Sequence, residues 1–497
     1  MDAAVAALIT ALSTFADTAQ AAGVVVAALL AAVVLLARSP RERAFAMLGA
    51  LALTPVLLVA NIWSTAQFEP LRDRPALALG AAGAGFVALA LGAVAFHRRP
   101  ELLVLAAAAA LPFRVPIESG GDTANLLLPL YLVIAAGGLA YAVPRLRGYG
   151  WKEDPEPERE AGRLEWLLAA SIVLYALQAS YSTDFDHALS QTIFFYVPFA
   201  LLFALLVRIE WTRRLAVQCL AVLLALAVVF VGIGFVEYAR RELLLNPKVI
   251  SSNQFEQYFR VNSLFFDPNI YGRFLATVML GLTALALWSR RTIVAGGCAL
   301  ALALLMSGLV LTLSQSSFTA LLAGLAVLGA LRWGARRAGL VIGAFAVIAV
   351  AVVLAAPGAV GLDQSLDNAS SGRSELIRGG VELFADRPLT GWGAGAFRRE
   401  YRDHEKASSE RATAASHTIA ITIAVEQGIV GLGLYLALLA AALGQLLRGA
   451  RHAPVRAAVA AAFVALVVHT FLYAAFLEDP LAWVLLAAGT ALARREA

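Results

Sequence analysis

The stretch RRLAVQCLAVLLALAVVFVGIGFVEYARR, residues 213–241, decides the fold. Between Arg214 and Glu237 it carries no charged side chain. A helix over 212–236, rising about 1.5 Å per residue, is long enough to cross the roughly 30 Å hydrocarbon layer of a bilayer. Runs of this kind recur along all 497 residues, of which 60% are hydrophobic and only 15% charged. The mean hydropathy is +0.77. No soluble globular protein of this size needs so much apolar surface. The sequence therefore predicts an all-α polytopic membrane protein with about 13–15 transmembrane helices, from 20–37 near the start to 479–494 at the end. The run at 101–113 is short, and 1–17 reads as an additional amphipathic or spanning helix at most. That first segment lacks a basic n-region and a cleavage site, so the chain reads as uncleaved. Cys219 and Cys298 lie in apolar runs and read as small hydrophobes, with no disulfide or thiolate metal site expected.

Charge orients the spans. Alternating them puts 23 of the 39 lysines and arginines on one side, among them Arg38, Arg43, Arg145, Arg208, Arg290, Arg332 and Arg494. Short basic loops mark the cytoplasmic face. The pattern holds only if 101–113 crosses. Four regions follow: N-terminal spans over 1–163, with a Pro/Glu-rich cytoplasmic linker at 144–163; central spans over 164–357, with an external loop at 237–264; a long external loop at 358–416; and C-terminal spans over 417–497. The 358–416 loop holds eight basic residues. Each taken singly reads as solvated or ion-paired, but the cluster as a whole suits an anionic ligand.

Four stretches carry the candidate chemistry. In RVNSLFFDPNIYGRFLATVMLGL (260–282), Asp267 and Asn269 of the Asp-Pro-Asn turn fit a helix cap. Arg260, ahead of that turn at the membrane surface, is a candidate phosphate clamp, and Arg273 snorkels outward or joins the site. In LTLSQSSFTALLAGL (311–325), Ser314 and Gln315 open a polar turn between two spans, which reads equally as a plain hairpin. In SGRSELIRGGVELFADRPLTGWGAGAFRREY (371–401), Leu376, Ile377, Val381, Leu383 and Phe384 have helical spacing. They predict an amphipathic helix on the membrane or the bundle. The glycines after Pro388 allow close backbone approach to a ligand.

The fourth stretch, ATAASHTIAITIAVEQG (412–428), places Ser416 as an N-cap and His417 as the first residue of a span. The positive end of the helix dipole favours the neutral ring, which suits a proton acceptor. An interfacial histidine with a structural hydrogen bond is the alternative. Glu426 lies about 13 Å deeper on the opposite face. It reads as a bundle-facing acid bonded to another helix, with His469 one possible partner. Glu478 and Asp479 read as caps of the last external turn.

In this order the pieces resemble the O-antigen ligase/O-antigen polymerase superfamily of bacterial membrane glycosyltransferases. The resemblance rests on Arg260 with Asp267-Pro268-Asn269, the 314–317 turn, Arg373 with PLTGWGAGAF (388–397), and SHTIAITIAVEQGIVGLGLY (416–435). It covers roughly residues 210–480. One departure is plain: many members have an arginine after the serine of the turn, where this chain has Gln315 after Ser314 and Ser317 after Ser316. The resemblance implies a fold like that of the polyprenyl-dependent (GT-C-like) glycosyltransferases. It further implies inverting, metal-independent transfer, without a cofactor, from a glycan on undecaprenyl diphosphate. The acceptor is a hydroxyl of a glycan, lipid or protein, reached from the periplasmic side of the inner membrane. Membrane lipid is the surrounding partner, and no nucleic acid is involved. In that scheme Arg260 and Arg373, then Arg398 and Arg399, steady the diphosphate, and His417 is the base. Asp267, Asn269, Ser314, Gln315, Arg273 and Glu426 support them. Polymerase and ligase share these motifs. A secondary transporter or lipid-linked-sugar flippase is the reading from another class, disfavoured because the two halves show no repeat.

Overall fold

The computed structural model describes residues 2–62, 69, 73–119, 122–147, 160–244, 259–340, 343, 373–405, 418–473 and 475–494. It is a helical bundle, and ten of the described helices are long and apolar enough to cross a membrane. These are α1 (Asp2–Leu36), α2 (Pro40–Ile62), α3 (Pro75–Arg98), α5 (Leu128–Leu146), α7 (Phe185–Leu206), α8 (Arg213–Arg240), α9 (Pro268–Trp288), α10 (Thr292–Thr312), α11 (Gln315–Trp333) and α14 (Ile419–Leu447). Three shorter apolar helices join them: α4 (Glu101–Ala110), α15 (Pro454–Thr470) and α16 (Pro480–Arg494). Helix α6 (Arg163–Ala179) packs on α1 and α14. The protein is a multi-pass membrane protein.

The difference from the expected thirteen to fifteen spans sits mainly in α4, α6, α15 and α16, which are 10, 17, 17 and 15 residues long, short of the roughly 20 that cross a bilayer core. Much of the expected 338–356 span lies outside the described residues, as do most of the 144–163 linker and residues 245–258, 358–372 and 406–417. Residues 1–17, read as a separate helix, are continuous with the first span in α1. The 101–113 run stops as a helix at Ala110, where Pro112 and Pro116 bar its continuation. The chain instead forms an antiparallel hairpin, β1 (Val115–Ser119) with β2 (Asp122–Leu126), registered Val115 to Leu126. This hairpin is a local addition to a bundle that is otherwise helical, as the all-α expectation had it.

The basic side assembles as one face. Arg38 bonds Glu160 at 2.6 Å, Arg43 donates to the Tyr141 hydroxyl at 3.2 Å, and Arg145 stands 3.9 Å over the Tyr141 ring. Arg208 lies over the same ring, and Arg494 pairs with Glu165. Five arginines from separate loops and helix ends thus meet at one end of the bundle, as the alternation of spans required.

At the opposite end, α14 is broken. Gly428 has φ 64° and ψ −164°, which opens the ladder in mid-helix. The freed groups of Val425, Glu426 and Ile429 need partners, and residues 388–397 supply them. Ile429 N donates to Pro388 O at 2.8 Å, Trp392 N to Val425 O at 3.0 Å, and Gly393 N to Glu426 O at 2.9 Å. The fit tolerates no side chain: a Cβ on Gly391 would stand 2.3 Å from Glu426 O, and one on Gly428 would stand 2.3 Å from Leu389 O. From the α6–α7 corner, Tyr181 Oη donates to Thr390 O at 2.8 Å and Ser182 Oγ to Ala394 O at 2.6 Å.

The glycine-rich turn therefore brings backbone close to the broken helix and the α6–α7 corner. The amphipathic helix, α12 (Arg373–Asp386), lies on the bundle, burying Leu376 and Leu383 against Val425 and Phe397. Ile377 and Val381 stay exposed.

Candidate active site

A buried polar network forms on the side opposite the basic face, where α9, α11, α15 and α16 meet. Its first part is the segment leading into α9. Val261 N donates to Leu311 O at 3.1 Å, and Ser263 N donates to Glu237 Oε2 at 2.8 Å. These bonds fix Arg260, whose Nε donates to Thr312 O at 3.0 Å and whose Nη2 donates to Asn269 Oδ1 at 3.1 Å. Asp267 caps α9 by accepting from Asn269 N at 2.6 Å, as its position before Pro268 predicts. Asn269 is more than part of that cap. Its Oδ1 lies 2.7 Å from Ser314 Oγ and so ties the arginine to the start of α11.

The serine turn continues the network. Ser314 caps α11 and bonds Ser317 Oγ at 2.8 Å. Ser316 and Ser317 stand 3.3 and 3.5 Å from His469 Nε2 on α15. His469 is fully buried, and its Nδ1 has no hydrogen-bond partner among the described residues. Gly272 allows this packing, since a Cβ there would lie 2.6 Å from Ser317 Oγ. Gln315, expected to support the site, is exposed and outside the network.

Arg273, one turn further along α9, is buried and ion-paired with Asp479, each side chain 5% exposed. Asp479 also caps α16, accepting from Leu481 N at 2.9 Å. Arg114, between α4 and the hairpin, stands 5.4 Å over the Phe266 ring. Burial lowers its pKa, opposed by the nearby Asp479 charge. Glu478 is pushed up to about 7 by burial and then by the Asp479 charge, with Arg114 opposing. Thr418, at the start of α14, donates to Phe471 O at 3.2 Å, close along the chain to His469.

The expected residues thus fall into two groups. Arg260, Asp267, Asn269, Ser314 and Arg273 meet around α9. Arg398 and Arg399 belong to α13 (Phe397–Glu405), where Arg399 donates to Thr183 O at the α6–α7 corner. Glu426 accepts from Phe397 N at 3.3 Å and so holds the start of α13, not another spanning helix. His469, offered as its partner, instead bonds the serine turn; sequence order gave no measure of which buried acid lies near which histidine. Arg373 opens α12, its side chain outside the described residues, and His417 with its expected cap Ser416 lies outside them too. The described helix begins at Ile419.

Arg114 and Asp479 as an ion partner were not foreseen. The signal for the second was present: an arginine inside a span needs an acid at the same depth, and Asp479 opens the last one.

Below the network runs an apolar slot of about 180 Å³, lined by side chains of α4, α8, α9, α15 and α16. Leu111, Thr277 and Leu481 line its upper part, and Arg213 and Trp288 mark its end on the basic side.

Residues 298–436 match the family model described as O-antigen ligase. The match supports membership of the O-antigen ligase/polymerase superfamily. It runs from α10 to α14 and takes in the serine turn, the arginine-bearing loop and the broken helix. No curated protein and no solved structure matches the chain. An O-antigen ligase domain supports a role in surface polysaccharide assembly for a glycosyltransferase-like enzyme, with lipid-linked glycan and acceptor substrates in general.

Proposed function

We propose that the chain transfers a glycan from an undecaprenyl-diphosphate-linked donor to an acceptor hydroxyl, as a polymerase or ligase of surface polysaccharide. The observation that carries this reading is Arg260, held by Thr312 O and by Asn269 of α9, the helix that also lines an apolar slot. A guanidinium already oriented in a partly dry site stabilises charge as it develops, without reorganising. The donor needs that help, because its leaving group is a diphosphate.

In the proposed step the acceptor oxygen attacks the anomeric carbon from the face opposite the diphosphate. The C–O bond to the diphosphate breaks, its electron pair leaves with the diphosphate, and the configuration inverts. The acceptor proton passes to His417, whose chain neighbour Thr418 is tied to the end of α15. The transfer is metal-independent in this scheme, the positive charge coming from Arg260 with the loop residues Arg373, Arg398 and Arg399. The slot takes part of the polyprenyl tail. With the arginine-rich face in the cytoplasm, the network opens to the periplasmic side of the inner membrane.

Reconstitution with undecaprenyl-diphosphate-linked repeat units, with and without an acceptor lipid, tests the reading. A ladder of longer lipid-linked products identifies a polymerase, and a single shift onto the acceptor identifies a ligase. Donor that crosses the bilayer chemically unchanged would refute transfer and favour a flippase. Near-normal turnover by an intact His417→Ala protein would remove the assigned base.

A further inference from the structure

In a polyprenyl diphosphate the charge is bonded to the first carbon of the tail. Whatever holds the two parts must therefore be adjacent. Three residues of the slot's lining lie close in the chain to the polar network. Leu111 in its lining lies three residues before Arg114, Thr277 one helical turn beyond Arg273, and Leu481 two residues after Asp479. Arg398 and Arg399 belong instead to the loop docked at the α6–α7 corner, and no residue of that loop lines the slot.

The residues next to this part of the lining carry unused donors. Arg273 is 4% exposed, and its Nη1 has no hydrogen-bond partner among the described residues. The buried Nε of Arg114 has none either. Buried guanidinium N–H groups without an acceptor are costly, and native structures rarely keep them unless something else fills the role. Asp479 is the ion partner of Arg273, and its charge also acts on Arg114. One carboxylate thus serves two cations. Glu478, held near neutrality by burial, offsets the second only in part.

We propose that Arg114 and Arg273 hold the diphosphate of the polyprenyl donor and product at the head of the slot, with Asp479 as the resting counter-ion of Arg273. The proposal rests on the glycosyltransferase reading. It gives an arginine outside the matched domain the charge that the Ser314–Ser317 turn lacks. Diphosphate oxygens accept from Arg114 Nε and Arg273 Nη1, and the tail descends past Leu111 and Thr277. Arg260, anchored beside the serine turn, then faces the same phosphates from the side of the glycan.

The test is equilibrium binding of undecaprenyl diphosphate and of undecaprenol to the full chain in zwitterionic nanodiscs. Wild type, Arg114→Gln and Arg114→Lys are compared. Arg114→Gln should bind the diphosphate about ten- to a hundredfold more weakly, the loss expected for a charge-assisted hydrogen bond. Its affinity for undecaprenol should be unchanged, and lysine should restore part of the loss. If Arg114→Gln binds the diphosphate as wild type does, or loses both lipids together, Arg114 is a structural member of an ion cluster and the proposal is overturned. If wild type itself does not prefer the diphosphate to undecaprenol, the glycosyltransferase reading falls first and takes the proposal with it.

Discussion

Replacing Asn269 by alanine removes the acceptor that joins Arg260 to the serine turn. Arg260 loses the bond from its Nη2 to Asn269 Oδ1, 3.1 Å long, and keeps the bond from its Nε to Thr312 O at 3.0 Å. A hydrogen bond from a charged group contributes about 1.5–3 kcal/mol, and a partner left unsatisfied adds a penalty. Because one anchor survives, the guanidinium is loosened and not released, so the lower end of that range applies. At about 1.4 kcal/mol per tenfold, kcat/KM for glycan transfer should fall by about tenfold. The assay is chain extension with a lipid-linked donor in detergent, with thermal melting as the check on folding. A second comparison separates positioning from general damage. If Asn269 acts through Arg260, the double variant Arg260→Ala/Asn269→Ala should be no slower than Arg260→Ala alone. Wild-type kcat/KM in a folded Asn269→Ala protein, or fully additive losses in the double variant, would refute the reasoning.

Gly391→Ala should loosen the docked loop, because the new Cβ would meet Glu426 O at 2.3 Å from a backbone at φ 68°. The left-handed conformation alone costs an alanine about 1–2 kcal/mol, and faster limited proteolysis within 373–405 is the readout. Asp479→Asn should destabilise the bundle by about 3–5 kcal/mol, since it strands Arg273 in a buried site. Adding Arg273→Met should recover much of that loss in a thermal melt, and no recovery would mean that the pair is not what the acid supports. Glu478, raised from 4.5 to about 7, stabilises the fold fully below its unfolded pKa, and that contribution is lost as pH rises through about 7. Melting temperature should therefore fall between pH 5 and 8 more steeply in wild type than in Glu478→Gln, and parallel curves would show that the group does not titrate there.

Hydropathy and the alternation of basic loops made the spans and their common basic face readable, because both signals are local. Asp267 as a cap was equally local. What stayed hidden depended on residues far apart in the chain. His469 and Glu426 are both buried polar groups in C-terminal spans, and only packing shows that one meets Ser316 and the other Phe397 N. The break in α14 was hidden for a similar reason. Glycine is common inside membrane helices, so Gly428 by itself says nothing. The helix can open there only because 388–397 supplies the missing backbone partners. Arg114 was hidden because the residues that give it meaning, Phe266 and Asp479, come from other parts of the chain.

The docked turn also bears on the proposed role of the loop arginines, because it fixes the backbone that carries them. A long polar loop would ordinarily sample many positions, and arginines on it would lose rotamer and backbone entropy whenever they gripped a ligand. Here the cost is met in the folded state. Pro388 O, Trp392 N and Gly393 N are bonded to α14, Glu426 holds the start of α13, and Ser182 holds Ala394 O. Arg398 and Arg399 therefore begin from a backbone already fixed at both ends of the turn. The same bonds tie the loop to α14, whose first residues are joined to α15 through Thr418 and Phe471. The matched domain supplies the serine turn and this docked loop, while Arg260, Asn269, Arg273, His469 and Asp479 come from the flanking helices and the segment before α9. A fragment limited to 298–436 would keep the family's sequence signature and lose Arg260 itself together with most of the network around it.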